Sequence, residues 1–413
     1  MTKKAETEPL AKPARSTTAR HRSRQWRTVN RPILATVVFT FAAYMMVGLP
    51  LAVLPPFVRG PLGFSSVLAG LAVSTQYLAT FITRAPVGRL TDSVGPKHIV
   101  MFGLSACAGS GVLTALGGLF QSQHVLSLVL LLLGRLCLGT GESAVSTGGI
   151  AWAIGKVGAT HSAKVISWNG IATYGGISLG APLGVLIQSI AGFSTIGIAV
   201  VVVGLAALPF AAAGPITRLV TGPRMSFGSV FGRILPYGAA LALSSIGFGA
   251  IASFITLFYA SRHWGHAALA LSAFGGCFIL ARLIFVGSIA RQGGNRVALA
   301  SFLVECAGLA LLWRAGDPAS ALIGAGLAGF GFALVFPALG VEILARVPST
   351  SRGAAIGAFS VFLDVALCVT GPLAGFIVGS FGYATIFLVA AFAAAIAAVI
   401  LIMMGALRTP ASR

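Results

Sequence analysis

Apolar residues in this chain come in long blocks separated by short polar gaps. Twelve blocks fall at 33–57, 65–88, 98–120, 125–153, 164–190, 193–213, 234–260, 267–290, 296–313, 319–344, 353–379 and 382–407. A helix needs roughly 20 apolar residues to cross the hydrocarbon of a bilayer, so each block is helix-sized. The blocks are too long, and lack the period-two alternation, for strands of a membrane barrel. The pattern predicts an all-α membrane protein of twelve transmembrane helices. The 53 glycines, many inside the blocks, suit it: small residues let helix backbones approach where lipid supplies no hydrophobic force between them.

Composition narrows the class. Of 413 residues, 57% are hydrophobic and only 9% charged, against about 25% charged in a soluble domain. A soluble enzyme, a secreted disulfide scaffold and a disordered chain are excluded. The formal net charge is +20, yet the basic residues are scattered among apolar runs and form no patch interleaved with aromatics, so nucleic acid is not an expected partner.

The basic residues instead give orientation. With both termini inside, 22 of the 28 Lys and Arg fall in cytoplasmic segments, only Arg59, Arg262 and Arg314 fall outside, and Arg84, Arg135 and Arg282 lie within spans. This positive-inside bias agrees with an even number of spans and points to a multi-pass protein of the cell (inner or plasma) membrane. Residues 1–31 hold nine of these cations and no apolar stretch, which reads as a disordered cytoplasmic tail and not as a signal peptide. Trp26, Trp152, Trp168, Trp264 and Trp313 fall near helix ends, where interfacial indoles are expected.

The chain also repeats itself. Gly88, Asp92, Gly95 and Lys97 after span 2 correspond to Gly287, Arg291, Gly294 and Arg296 after span 8, at a constant offset of 199. Ala181-Pro182-Leu183-Gly184 and Gly371-Pro372-Leu373-Ala374 correspond at offset 190, which also relates Tyr174 to Asp364. Two pseudo-symmetric six-helix bundles follow, 32–213 and 234–408, joined by a cytoplasmic linker 214–233 and ending in a short tail 409–413. Parallel six-helix repeats are a transporter architecture, with substrate bound near the midplane between the halves.

Four of the eight acids lie in spans: Glu142, Glu305, Glu342 and Asp364. A charge at the bilayer centre costs roughly 2.5–3.5 kcal/mol on insertion scales, so each needs a partner, a wet cavity or a proton. Asp364, near the middle of span 11, reads either as a proton carrier or as half of a structural ion pair with an intramembrane Arg. Arg135 and Glu142 share one face of span 4 but sit about 10 Å apart along the axis at 1.5 Å per residue, too far for a good direct bond. Arg135 reads as a holder of an anionic group or as a carboxylate's partner. Glu142 reads as a second protonation site or a gate partner. For both, the alternative is a helix-packing salt bridge. Glu342 lies four residues before Arg346, which suits a local ion pair. Glu305 reads as structural, and Arg84 and Arg282 as long side chains snorkelling to the interface.

Several motifs carry no chemistry here. The GxSxG at Gly176–Gly180 and the GxGxxG at Gly324–Gly329 lie inside apolar helices and lack the strand–turn–helix setting that gives such motifs meaning. No phosphate-binding GxxxxGK[ST] occurs, so a gradient is expected to supply energy. Cys107, Cys137, Cys277, Cys306 and Cys368 are odd in number, form no CxxC and sit in apolar runs, as small core residues do. No metal or cofactor is expected, and the chain is not expected to be an enzyme.

The loop Gly88-x-Leu90-x-Asp92-x-x-Gly95-x-Lys97 resembles the signature between helices 2 and 3 of the major facilitator superfamily, with Ser93 and Pro96 departing from the usual basic residues. Gly134-Arg135-x-x-x-Gly139-x-Gly141-Glu142 is similar to the family motif whose intramembrane Arg is linked to proton coupling. Gly176-x-x-x-Gly180-Ala181-Pro182-Leu183-Gly184 is similar to the glycine–proline motif of proton-driven antiporters, with Ala181 inserted. The resemblance covers residues 32–408 and is nearest the multidrug and arabinose-efflux-permease-like exporters. It implies alternating access, proton coupling through Asp364, Arg135 and Glu142, and export by antiport of a small molecule. A proton symporter of a sugar or organic acid, and a uniporter or transporter-fold sensor, remain the alternatives. It implies a cavity lined by Tyr44, Gln76, Tyr77, Asn169, Tyr174, Ser245, Phe254, Phe330 and Phe336. It implies a conformational latch of Gly88, Asp92, Gly95, Lys97, Arg291, Arg296 and Arg352. Substrate, protons and the bilayer are then the partners of a monomer.

Overall fold

The computed structural model describes residues 26–217, 227–285, 287–347 and 352–406. Twelve helices cross it: α1 (Arg31–Leu51), α2 (Ser66–Val94), α3 (Pro96–Leu119), α4 (His124–Val157), α5 (Ser162–Ala191), α6 (Ser194–Ala213), α7 (Phe227–Ser261), α8 (Ala268–Ile284), α9 (Gly294–Arg314), α10 in two pieces (Pro318–Phe332 and Val335–Leu344), α11 (Arg352–Phe381) and α12 (Tyr383–Ala406). Short helices Leu54–Arg59 and Ser288–Gln292 follow α1 and α8. Eleven of the twelve are long and apolar enough to span a membrane, and α8 is a shorter apolar helix of 17 residues. Helix α7 begins at Phe227, within the segment expected as the linker. Residues 1–25, 218–226 and 407–413 of the tails and linker lie outside the described residues.

Successive helices run antiparallel, so the loops fall on two faces. One, here the basic face, carries the α2–α3 and α4–α5 turns; the far face carries the α3–α4 and α11–α12 turns. Packing repeats between halves: α1 on α5, α2 on α4, α3 on α4 and α3 on α6 in the first bundle match α7 on α11, α8 on α10, α9 on α10 and α9 on α12 in the second. The bundles meet along two seams, α2 with α11 and α5 with α8.

Glycine sets the closest of these approaches. Gly176, Gly180 and Gly184 share one face of α5, four residues apart, and rest on the α1 backbone. A Cβ at Gly176 would stand 2.6 Å from the Phe41 carbonyl oxygen, one at Gly180 would stand 2.7 Å from that of Met45, and one at Gly184 would fall inside that of Leu49. The antiporter-like motif is thus, first, a small-residue helix contact. Bulky positions such as Ile33, Met46, Phe258 and Phe387 fill the bundle interiors and are fully buried. Leu, Val and Ile such as Ile190, Leu205 and Ile396 face outward and are exposed, the inverse of a soluble surface and suited to lipid.

At the far face, α10 starts on a capping box. Asp317 Oδ1 accepts from the backbone N–H of Ala319 (2.9 Å) and of Ser320 (3.0 Å), and Pro318 supplies an N1 residue with no donor to satisfy. The Ser320 donors, then Ala319, hold the Asp317 carboxyl below its ordinary range. A carboxylate so depressed contributes its capping in full above its unfolded pKa and loses it as pH falls through the lowered folded value. Amide protection at Ala319 and Ser320, measured against the intrinsic exchange rate at each pH, should therefore fall on acidification below the carboxylate range, and Asp317→Ala should show that low protection already at neutral pH.

Trp152 lies near the end of α4, as expected, but turns inward. It is fully buried in the first bundle, stacked on Phe39 at 5.7 Å, and its indole N–H donates to the Pro215 carbonyl at 2.9 Å. The carbonyl is available because it follows the end of α6, and Lys156 lies over the ring at 3.9 Å. Trp313, by contrast, is exposed beside Arg314. The five cysteines are free thiols.

Candidate functional site

Charged side chains inside a bilayer-sized bundle must find partners there, and the partners locate the site. Arg84 on α2 and Asp364 on α11 form a two-pronged ion pair across a bundle seam. Nη2 donates to Oδ1 at 2.8 Å and Nε donates to Oδ2, with the aspartate side chain 1% exposed. The snorkelling expectation for Arg84 is thereby corrected. Its guanidinium turns inward because Asp364 stands opposite, and the two-pronged fork is the geometry in which Arg and carboxylate bind best.

Beside this pair lies a three-residue chain. Arg135 Nη1 donates to Gln76 Oε1 at 2.9 Å, and Gln76 Nε2 donates to Glu142 Oε2 at 2.6 Å. The amide orientation follows from chemistry. Arg is a donor only, so the amide oxygen must face it and the amide nitrogen must face the carboxylate. Arg135 and Glu142, too distant for each other along α4, are thus joined through α2. Tyr44 on α1 brings its hydroxyl to the same Glu142 carboxylate, and Glu142 lies in the field of Asp364 and Arg84. Tyr77 lies in the field of Glu142, Arg135 and Asp364. Asn169 on α5 accepts from Thr40 at 2.8 Å. Helices α1, α2 and α4 of the first bundle so share one polar cluster, which meets α11 at the Arg84–Asp364 pair, and the Thr40–Asn169 bond ties α1 to α5.

Arg282 on α8 is the second corrected arginine, buried instead of snorkelling. Pro337 has no N–H, so the Ala333 carbonyl four residues before it loses its helical donor and α10 breaks there. Arg282 Nε supplies that donor at 3.0 Å, while Nη1 reaches across to the Ser167 carbonyl on α5 at 3.3 Å. Its guanidinium also sits 4.8 Å from the Phe278 ring centre.

Above these charges, toward the far face, each seam is closed by a serine. Pro182 orphans the Ser178 carbonyl on α5 in the same way, and Ser272 Oγ from α8 donates to it at 2.8 Å, with Ser178 Oγ returning a bond to the Ser272 carbonyl at 3.1 Å. On the other seam Ser74 Oγ on α2 inserts between the Gly371 N–H (3.2 Å) and the Leu367 carbonyl (3.0 Å) of α11, just before Pro372. Gly70 meets Gly371 and Gly375 meets Ser66 and Val67 with no space for a Cβ. Ser74 and Ser272, like Arg84 and Arg282, are 198 residues apart. A comparison of the two repeats at that offset would have found all four.

Tyr174 stacks on Phe278 at 3.8 Å and meets Phe248 edge-on at 5.4 Å. With Phe274 and Phe332 these rings make one aromatic cluster from α5, α7, α8 and α10. Of these, the residue pattern singled out Tyr174 alone. The three phenylalanine candidates each lie against another residue. Phe254 is fully buried against Gly70, Phe330 lies edge-on to Phe285 at 5.9 Å, and Phe336 lies 5.0 Å from Phe359. Ser245 donates to Leu241 in its own helix at 2.7 Å. None of these four joins the polar cluster.

Lys97 Nζ donates to the Ala212 carbonyl at the end of α6, in its own bundle, at 2.6 Å, which suits a cation at a helix C-terminus. Gly95, with φ +103, turns the chain between α2 and α3, and Gly88 has open space around it. Asp92, Arg291 and Arg296 are exposed on the basic face; the Arg352 side chain lies outside the described part. Glu342 and Arg346 form the local ion pair at 3.3 Å. Glu305 is buried within the second bundle and accepts from Ser244. Among the described residues no group of His, Cys, Asp and Glu is arranged to hold a metal.

Known proteins agree with this architecture. The model of the Major Facilitator Superfamily matches residues 36–294 and 237–413. The chain is 55% identical over 365 residues to an uncharacterized MFS-type transporter of Burkholderia pseudomallei strain 1106a, covering 88% of this chain and 89% of that one. It is 52% identical over 369 residues to one of Pseudomonas aeruginosa strain LESB58, covering 89% and 91%. In fold it resembles the human organic anion transporter MFSD10 and a variant of the nucleoside transporter NupG, each with TM-score 0.70, 15% identity and coverage of 90% of this chain and 99% of the other. The chain belongs to the Major Facilitator Superfamily and is a multi-pass membrane transporter, not an enzyme.

Proposed function

We propose that this protein is a proton-coupled exporter of the cell membrane, exchanging protons for a small molecule by alternating access, with the basic face and both termini in the cytoplasm. The Arg84–Asp364 pair carries this reading. It is a titratable link between two bundles that must separate on one side and close on the other. A proton on Asp364 removes the negative charge that holds Arg84 and so biases the balance between the two access states; a ligand or proton shifts such a balance only through its different affinity for the two. Glu142, bonded to Gln76 beside the pair, is a second acceptor. The serine clasps and glycine contacts on the far face support a state closed to the outside. The protein works as a monomer, one cavity per chain.

The test is proton movement in everted membrane vesicles with an acid interior. A pH dye reports after addition of each compound from a panel of lipophilic cations, sugars and organic anions. Antiport predicts that a substrate collapses the gradient and that Asp364→Asn abolishes the collapse. A substrate that instead carries protons inward marks a symporter, and labelled uptake without proton movement marks a uniporter; either overturns the exchange reading.

A further inference from the structure

The fork of Arg135 is half used. The side chain is 3% exposed, Nη1 is spent on the neutral Gln76 amide, and Nη2 is buried with no acceptor among the described residues. An arginine does not shed its proton in a protein, and buried charges are ordinarily paired. The other interface charges are answered: Arg84 by Asp364, Arg282 by two carbonyls and the Phe278 face, and Glu142 by Gln76. Three buried guanidiniums, Arg84 and Arg282 at the seams and Arg135 between α2 and α4, thus stand against two carboxylates, Asp364 and Glu142. The remaining deep acid does not restore the balance, since Glu305 lies inside the second bundle against Gly247, Leu309 and Gly331.

We propose that Arg135 is the substrate-recognition residue and that the cargo is a small organic molecule bearing an oxyanion, which the Arg135 fork receives. Planar carboxylates and tetrahedral phosphoryl groups both match that fork. Gln76 is the positioning residue. In the empty site its amide oxygen occupies Nη1 and holds the guanidinium in place. An oxyanion that engages Nη1 and Nη2 together displaces that oxygen, and the same amide then withdraws its nitrogen from Glu142. Cargo binding at Arg135 and the state of Glu142 are linked through one amide plane, with no direct contact needed. The inference rests on the transporter reading and adds the charge of the cargo; it does not set the direction of transport.

The experiment is a binding measurement, independent of proton flow. Purified protein in neutral detergent is titrated with lactate, succinate, inorganic phosphate and methylphosphonate, and with glucose and tetraphenylphosphonium as neutral and cationic controls, while the thermal midpoint is followed. At least one oxyanion should raise the midpoint. Arg135→Lys, which keeps the charge but loses the fork, should weaken that compound at least about tenfold, and Arg135→Gln should abolish its effect. In the native background Glu142→Gln should shift the affinity, and in Gln76→Leu, which cuts the link, whatever affinity remains should be insensitive to Glu142→Gln. Adding phosphatidylglycerol tests a headgroup as the oxyanion source: stabilisation only with that lipid overturns the cargo assignment. Stabilisation by glucose or tetraphenylphosphonium alone, by no panel member at millimolar concentration, or equally in Arg135→Gln also overturns it. Proton exchange with a cation in vesicles, without oxyanion binding, refutes this site and leaves the exporter standing. Oxyanion binding without proton movement does the reverse.

Discussion

Arg84→Gln should destabilise the protein by about 3–5 kcal/mol, the usual cost of stranding one member of a buried ion pair, and should abolish transport. Asp364 is 1% exposed and has Arg84 as its ion-pair partner, so the variant leaves a carboxylate in a site with no cation across the seam. Asp364→Asn strands the guanidinium in the same way. The double variant Arg84→Gln with Asp364→Asn removes both charges. It should recover most of the lost stability, because neutral replacements for a buried pair are often no worse than the pair. It should not recover transport, because no titratable link remains between α2 and α11. Thermal unfolding of the purified variants and the vesicle assay, run side by side, separate the two roles. Transport restored in the double variant would make the pair a structural brace only.

Gly184→Ala should prevent assembly of the first bundle. The added Cβ would lie within the Leu49 carbonyl, and two helix backbones in van der Waals contact have no side chain to turn aside. Relief requires α1 and α5 to part, which would also break the neighbouring contacts at Gly176 and Gly180. Overpacking in cores costs about 1–3 kcal/mol where side chains can adjust, and here none can. Gly379→Ala is the matched control, because nothing lies within 4 Å of a Cβ built there; it should express and melt like the native protein or slightly higher, since Ala in a helix is favoured over Gly. Yield of monodisperse protein after size-exclusion chromatography is the readout. Equal yields for the two variants would show that the α1–α5 contact is looser than described.

Gly184 also shows how a motif can be legible and its physical content hidden. The run Gly176-x-x-x-Gly180 and the following Pro182 stand out in the sequence, but their two jobs require the neighbours: α1 for the glycines and Ser272 of α8 for the carbonyl that the proline frees. Arg84 is a sharper case. From the sequence it is a long cation in the basic half of a span, where reaching the interface is the ordinary solution. Asp364, 280 residues away, makes the inward solution better, and nothing local to Arg84 announces that. The ring neighbours of Tyr174 are another case, since Phe248, Phe274, Phe278 and Phe332 come from three other helices and nothing local to Tyr174 announces them.

What the sequence determined by itself is what one helix or one repeat can encode. The number of spans, the two bundles, the turn at Gly95, the local Glu342–Arg346 pair and the presence of deep charges all follow from hydropathy, internal offset and spacing along a single helix. What only the tertiary structure decided is which charges answer one another. Arg84 with Asp364, Arg135 with Glu142 through Gln76, Arg282 with the Ala333 and Ser167 carbonyls, and Lys97 with Ala212 all join different helices. In a bilayer leaving a charge or a carbonyl unpaired is costly, so these groups draw partners from neighbouring helices, with Arg135 Nη2 among the exceptions. Which partner depends on helix rotation and depth to within one turn, and those are set by the packing of small residues between helices, not by the residues that carry the charge.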